Sequence, residues 1–301
     1  MQQKWTRLGR ILSPNQNFIK SIKIGQSFIE PTNNHIINIY FTHRNTDNIS
    51  HISKVKYNLK KKQIIKSSFK KILSPGSYGH FDFHGVSYPA IINLKNKKKM
   101  FYVGWQKGVK NQLPFKNNLG LCDLSKKPNR ISKAPIIPTD DIDPLSTGSC
   151  FALKKNNHIK LWYTSFLKYR NKKNNYEHMY SIRYATSKNL VNWKKNKKIC
   201  IPFRKNEIAI SKPSVIYYKK KFHMWFCARG KNYKIGYAES KNGIKWIRRD
   251  NQFKVVGKPE KWDKLAMSYP SVIKYKKKLL MLSTGNDYGK AGMGMLETKK
   301  D

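Results

Sequence analysis

The chain has 301 residues, with 62 Lys and Arg against 16 Asp and Glu, a formal charge of +46 at pH 7, and only four cysteines. An apolar share of 39% excludes an unfolded polyelectrolyte, and four cysteines spread singly at 122, 150, 200 and 227 exclude a disulfide scaffold or a CxxC metal site and read as buried free thiols. No run approaches the roughly 18 apolar residues of a membrane span, and the N-terminus lacks a signal-type apolar core. A cytoplasmic location without a membrane partner is therefore expected.

In chain order, an apolar pair of runs separated by a polar turn recurs. Its copies are SFIEPTNNHIINIYFTHR (27 to 44), YPAIINLKNKKKMFYVGWQ (88 to 106), SCFALKKNNHIKLWYTSF (149 to 166), KPSVIYYKKKFHMWFCARG (212 to 230) and YPSVIKYKKKLLMLSTGN (269 to 286). Anchored on Phe41, Tyr102, Tyr163, Phe226 and Leu282, the steps are 61, 61, 63 and 56 residues. Each copy is a β-hairpin by its β-branched and aromatic content and its turn. A third strand follows, plainest in YATSKNLVNW (184 to 193) and YAESKNGIKW (237 to 246), which keep six positions in register 53 residues apart. A fourth, more polar strand fits around Lys194 to Ile201 and Phe253 to Val256. Five four-stranded sheets in register predict an all-β, five-bladed propeller occupying 1–301 as a single domain, since no Pro/Ser/Gly tract divides the chain. The fifth copy ends without an outer strand, and KWTRLGRIL (4 to 12) precedes the first with nothing to pair with. The N-terminal segment is thus expected to complete the last blade, removing the free sheet edge.

The repeat also gives scattered residues equivalent places. Seven residues before Pro89, Cys150 and Pro270 stand Asp82, Asp143 and Asp263, and six before Pro213 stands Glu207; the first copy has Ser21, Gln26 or Ser27 instead. If these loops lead into the funnel, the acids converge and raise one another's pKa, yielding one protonated and one ionised carboxyl for glycosidic cleavage. A bland alternative is that each acid caps a turn. Three residues past the anchors stand Arg44, Trp105, Phe166 and Arg229, with Asn286 and Asp287 closing the fifth copy. Arginines suit a carboxylate or phosphate, and Trp105 offers a flat face to a sugar. GHFDFHGVSYP (79 to 89) adds His84 as a substrate hydrogen-bond donor, and no metal or other cofactor is expected because the histidines there lack a second ligand cluster. The insertion SFLKYRNKKNNYEHMYS (165 to 181), with Arg170, Glu177, His178 and Tyr180, reads as a lid or a solvated loop.

The YAxSKNxxxW strand, the acid before the Pro-led first strand and the five copies resemble the five-bladed propeller glycosidases, the arabinanase and xylosidase-like family 43, invertase-like family 32 and the mannoside phosphorylases of family 130. GHFDFHGVSYPAII and SYPSVI…STGNDYGKAGMGMLE are similar to an uncharacterised bacterial group of glycosidase-like propellers. The resemblance implies a glycan or sugar-conjugate substrate, anionic ones included, and three acids from different blades, carried here by Asp82, Glu207 and Asp263. Substrate contacts fall to Arg44, His84, Trp105, Asp143, Arg229, Asn286 and Asp287. Inverting hydrolysis is the leading expectation. Phosphorolysis, with inorganic phosphate held by Arg44 and Arg229 beside His84 or Lys168, and an inactive glycan-binding propeller are the alternatives. The first copy lacks the acid that the hydrolases place there, and Leu265 stands where similar propellers often carry another. The lysines concentrate in hairpin turns and no nucleic-acid motif is present, so a nucleic-acid partner is not expected despite the charge.

Overall fold

The structure is a computed structural model that describes residues 3–32, 35–95, 97–109, 115–172 and 175–298. It is all-β, with strands falling into consecutive antiparallel groups. The first comprises β2 (Lys23–Pro31), β3 (Ile36–Arg44), β4 (Ser50–Asn58) and β5 (Gln63–Leu73), paired in that order. The next comprises β6 (Gly85–Leu94), β7 (Lys97–Lys107), β8 (Phe115–Asp123) and β9 (Asn129–Arg130). It is followed by β10 (Thr147–Lys155), β11 (His158–Lys172), β12 (Asn175–Ser187) and β13 (Lys194–Lys195). Then come β14 (Ala209–Tyr218), β15 (Lys221–Arg229), β16 (Tyr233–Ser240) and β17 (Ile247–Arg248).

The last sheet combines the two ends of the chain. Here β19 (Ser268–Tyr275), β20 (Lys278–Thr284) and β21 (Met293–Thr298) are extended by β1 (Gln3–Leu12), antiparallel to β21, so the N-terminal segment supplies the missing strand. β18 (Phe253–Val256) then lies parallel to β1 at the edge of this sheet. That corrects the expectation that Phe253 to Val256 is the fourth strand of the preceding group, a place taken by Ile247–Arg248.

The first strands β2, β6, β10, β14 and β19 pack each against the next, and β19 packs back on β2. Side-chain oxygens staple the ring: Ser271 Oγ accepts from Ile29 N at 2.9 Å, Ser214 Oγ from Val272 N at 2.8 Å and Ser149 Oγ from Lys212 N at 3.0 Å. Every one of these strands carries a register shift between its first and second halves. At four shifts a non-glycine residue is forced to positive φ: Gln26 at 43°, Tyr88 at 53°, Lys212 at 50° and Tyr269 at 54°. Such backbone is costly for a side-chain-bearing residue, and bulges of this kind re-aim side chains near functional sites.

Large side chains fill the space between sheets, with Trp162, Trp225, Phe41, Phe101 and Phe226 fully buried. The repeated SKN turn is part of this packing. Ser187 Oγ and Ser240 Oγ accept from Leu190 N and Gly243 N at 2.9 and 2.8 Å, and Asn189 and Asn242 accept from the next two amides. Trp193 and Trp246 then donate to the carbonyls of Leu190 and Gly243. Both Leu190 and Gly243 have positive φ, so the motif records a turn and its tryptophan clamp.

Candidate functional site

The second strand of each hairpin runs toward one end of the ring. Arg44, Trp105, Phe166 and Arg229, at the ends of β3 and β15 and within β7 and β11, all line one cavity of about 750 Å³ there. Hairpin polarity alone brings these repeat-equivalent positions together. The bulge residues Gln26, Tyr88, Ser149 and Tyr269 form more of the wall. The insertion is an extended hairpin, with β11 and β12 paired from Ile159↔Ser187 out to Lys172↔Asn175; residues 173 and 174 lie outside the described ones. This hairpin delivers Glu177, His178 and Tyr180 to the cavity.

Charge in the cavity is lopsided. Lys23, Arg44, Lys107 and Arg229 face Glu177, the one carboxylate among the described lining residues. Burial, then repulsion from Arg44 and Lys290, holds the Lys23 ammonium below its ordinary range. The Arg44 guanidinium lies 5.0 Å over the Trp105 ring, whose Nε1 donates to Ser50 Oγ at 2.7 Å. Arg229 stands 4.0 Å from Glu177, and its Nε is buried without a partner. His178 is 7% exposed, and its Nε2 is also buried and unpartnered. Burial, then Arg229, pushes its pKa down to about 4, so the ring is neutral near pH 7. Below these groups Tyr180 and Tyr233 share a 2.7 Å hydroxyl contact, and Tyr88 packs edge-on to Tyr269 at 5.5 Å. Burial raises the pKa of all four phenols, keeping them as neutral hydroxyls. Cations, neutral hydroxyls and unpaired buried nitrogens suit an anionic, hydroxyl-rich ligand.

The expected acids lie elsewhere. Asp82, Asp143, Glu207 and Asp263 are absent from the cavity wall, and each is clasped by a cation on the fourth strand of its own sheet. Arg130 of β9 reaches Asp82 at 2.7 Å, and Lys195 of β13 reaches Asp143 at 2.9 Å. Arg248 of β17 holds Glu207 with both terminal nitrogens, and Arg7 of β1 holds Asp263 at 2.7 Å. Tyr102 and Tyr163, two of the repeat anchors, donate to Asp82 and Asp143. Glu207 and Asp263 also accept from the backbone of their own loops, at Arg204 N and Glu260 N. These are turn caps and loop-to-edge clasps. For Glu207, burial pushes the carboxyl up, but the Arg248 hydrogen bonds, the Arg204 backbone bond and the charges of both arginines together outweigh it and leave the pKa below the ordinary range. Each of these acids is thus paired with a cation of its own sheet and stands off the cavity wall, so the cavity does not gather them.

Three other expected contacts are also corrected. His84 stands behind Trp105, stacked at 5.9 Å, with Nδ1 accepting from Lys107 N, so it supports the tryptophan. Asn286 is a brace: Oδ1 accepts from Leu265 N and Ala266 N, and Nδ2 donates to Lys261 O. Asp287 occupies a left-handed turn at φ 53° outside the cavity wall, while its neighbour Tyr288 lines it. The sequence reading passed over Tyr88 and Tyr269. Their signal was present, because both immediately precede the repeat proline, as Lys212 does.

Two uncharacterized proteins from strains of Mycobacterium tuberculosis, MT1551 and Rv1502, are each 30% identical over 296 residues, spanning 97% of this chain and 98% of theirs. The chain belongs to their family. No protein-family model matches it. Among solved structures, a glycoside hydrolase superposes with a TM-score of 0.74 at 12% identity, covering 97% of this chain and 91% of its own. A thermostable family-43 glycoside hydrolase gives 0.65 at 15% identity, with 93% of each chain covered. A structure described under the family 130 mannoside phosphorylases, as showing that the family contains glycoside hydrolases that target β-1,2 mannosidic linkages, gives 0.70 at 14%, covering 99% of this chain and 94% of its own. The fold is that of the propeller glycosidases, as the repeat-borne resemblance implied.

Proposed function

We propose that the chain is a single-domain, five-bladed propeller whose central cavity acts on an anionic glycoside or on a glycoside together with phosphate. The closed packing of five first strands supports the blade count. The observation that carries the functional reading is a lining that, among the described residues, has four cations and one carboxylate, Glu177. Inverting hydrolysis needs one carboxyl to protonate the leaving oxygen and a second carboxylate to activate water. Phosphorolysis needs one carboxyl and a place for phosphate, because phosphate brings its own nucleophilic charge.

Phosphate oxygens would be gripped by Arg229 and Arg44, the guanidinium fork matching them geometrically. Glu177 then donates its proton to the glycosidic oxygen as the bond from that oxygen to the anomeric carbon breaks. A phosphate oxygen forms the new bond to that carbon, and the phosphate proton returns to Glu177. The products are a sugar 1-phosphate and an alcohol. His178 and the tyrosine hydroxyls orient sugar hydroxyls, and Trp105, stiffened by Arg44 and His84, faces a ring.

The test is a glycoside panel assayed with and without inorganic phosphate, reading sugar 1-phosphate. Phosphate-dependent product that disappears in Glu177→Gln is expected. Release of free sugar without phosphate would instead establish a hydrolase, and specific glycan binding without turnover would establish a binding module.

A further inference from the structure

The end of the ring opposite the cavity holds a second concavity, of about 670 Å³, between the first sheet and the last. Its floor is apolar, from Leu8, Tyr57, Leu59, Leu280 and Met295. Its rim is cationic. Lys60 and Lys62 come from the turn between β4 and β5, and Lys276 and Lys277 from the turn between β19 and β20. All four are exposed, and none has an ion-pair partner among the described residues. The one lining carboxylate, Glu297, is already held by Lys278 at 2.8 Å.

An apolar trough of pocket size ringed by unneutralised lysines matches a ligand with a hydrocarbon part and an anionic head. The first-hairpin turns all lie at this same end, and they add the exposed Lys97 and Lys219 to the neighbouring surface. The cationic surface is thus broader than the trough. That combination favours a bilayer over a nucleic acid, which supplies phosphates but nothing for Leu8 and Leu59 to bury. We propose that this end of the protein docks on a membrane surface rich in acidic phospholipid, with a lipid entering the trough. Such docking needs no membrane-spanning segment, and among the described residues no helix is long and apolar enough to cross a bilayer. The catalytic mouth, at the other end of the strands, would then face away from the bilayer, whatever reaction it performs.

The experiment uses the full chain in sedimentation with vesicles of phosphatidylglycerol mixed into phosphatidylcholine, against phosphatidylcholine alone. Binding should require the acidic lipid. The K60E/K62E/K276E/K277E variant should lose partitioning by about a hundredfold or more, since each lysine near an acidic surface contributes severalfold. K197E/K198E/K205E/K264E, with the same change in net charge on exposed loops away from this end, should lose far less. Leu8→Asp, an exposed floor position, should weaken binding about tenfold at an unchanged melting temperature. Equal losses in the two charge-reversed variants, indifference to Leu8→Asp, or equal binding to neutral vesicles would each overturn the proposal.

Discussion

Two rings of residues recur through the sheets, and they have opposite fates. The acids in the loops before the first strands are sealed into ion pairs with the outer edge of their own sheets. The repeat-equivalent residues of the second strands differ in type from sheet to sheet, as Arg44, Trp105, Phe166 and Arg229, and all open on the cavity. A carboxylate that four of the sheets repeat answers a need those sheets share, here to tie a loop to the fourth strand. A ligand lacks the symmetry of the repeat, so a site is built where equivalent positions diverge. Repetition points to architecture, and divergence at a repeated place points to function.

The comparison breaks if a clasp acid proves dispensable to folding. Asp82 and Asp263 have side chains with no exposure, while Arg130 and Arg7 are 21% and 12% exposed. Truncating the acid strands a largely buried guanidinium. Asp82→Ala and Asp263→Ala should each cost about 3 kcal/mol in urea unfolding, the lower end for a broken buried pair because the arginines retain some water. An unchanged stability with abolished turnover would return these acids to the catalytic role that the repeat suggested.

Lys212 sharpens the comparison from within the ring of bulges. It shares the left-handed backbone of Tyr88 and Tyr269, yet it is 1% exposed, is not part of the cavity wall, and has no ion pair among the described residues. Burial holds its pKa down at about 8, while the nearby Cys150 and Cys227 thiols act in the opposite sense. In the unfolded chain the ammonium has its ordinary pKa near 10.4, so between about pH 8 and 10.4 the unfolded state binds more protons and stability rises with pH. The penalty is therefore full below pH 8 and relieved above it. Lys212→Met should be the more stable protein at pH 7, and its advantage over the parent should shrink by about 3 kcal/mol as the pH rises to that of the free ammonium. A constant difference across that range would mean that the amine is already compensated in the fold.

Much of this architecture could be read from periodicity, because hairpins and third strands carry apolar alternation at constant spacing. The fourth strands were legible only in part: the N-terminal strand of the last sheet and Lys194–Lys195, within the expected Lys194 to Ile201, could be placed, and Asn129–Arg130 and Ile247–Arg248 could not. Asn129–Arg130, Lys194–Lys195 and Ile247–Arg248 are two residues long and hold their place by pairing and by the clasps, which leave no period. The cavity was legible where it depended on hairpin polarity, as at Arg44 and Arg229. It was hidden where a bulge inserts a residue and reverses the side a strand presents, as at Tyr88 and Tyr269. The acids misled for a related reason: spacing locates a loop along the chain but does not say which way its side chains turn.

The smallest effect on stability, and the sharpest for function, belongs to the cavity ring. Glu177 is partly exposed, and its nearest cation, Arg229, is 4.0 Å away. A loose, solvent-reachable pair contributes about 0–1 kcal/mol, so Glu177→Gln should unfold within about 1 kcal/mol of the parent. Turnover should nevertheless be lost, because the amide keeps the shape and cannot supply a proton. Phosphate or anionic-sugar binding should tighten or stay level, since a negative charge beside Arg229 has been removed. That split, with stability kept, anion affinity kept and product lost, distinguishes a proton donor from a structural acid. The opposite split, with stability lost and affinity unchanged, would make Glu177 one more clasp and take the cavity's carboxylate out of the chemistry.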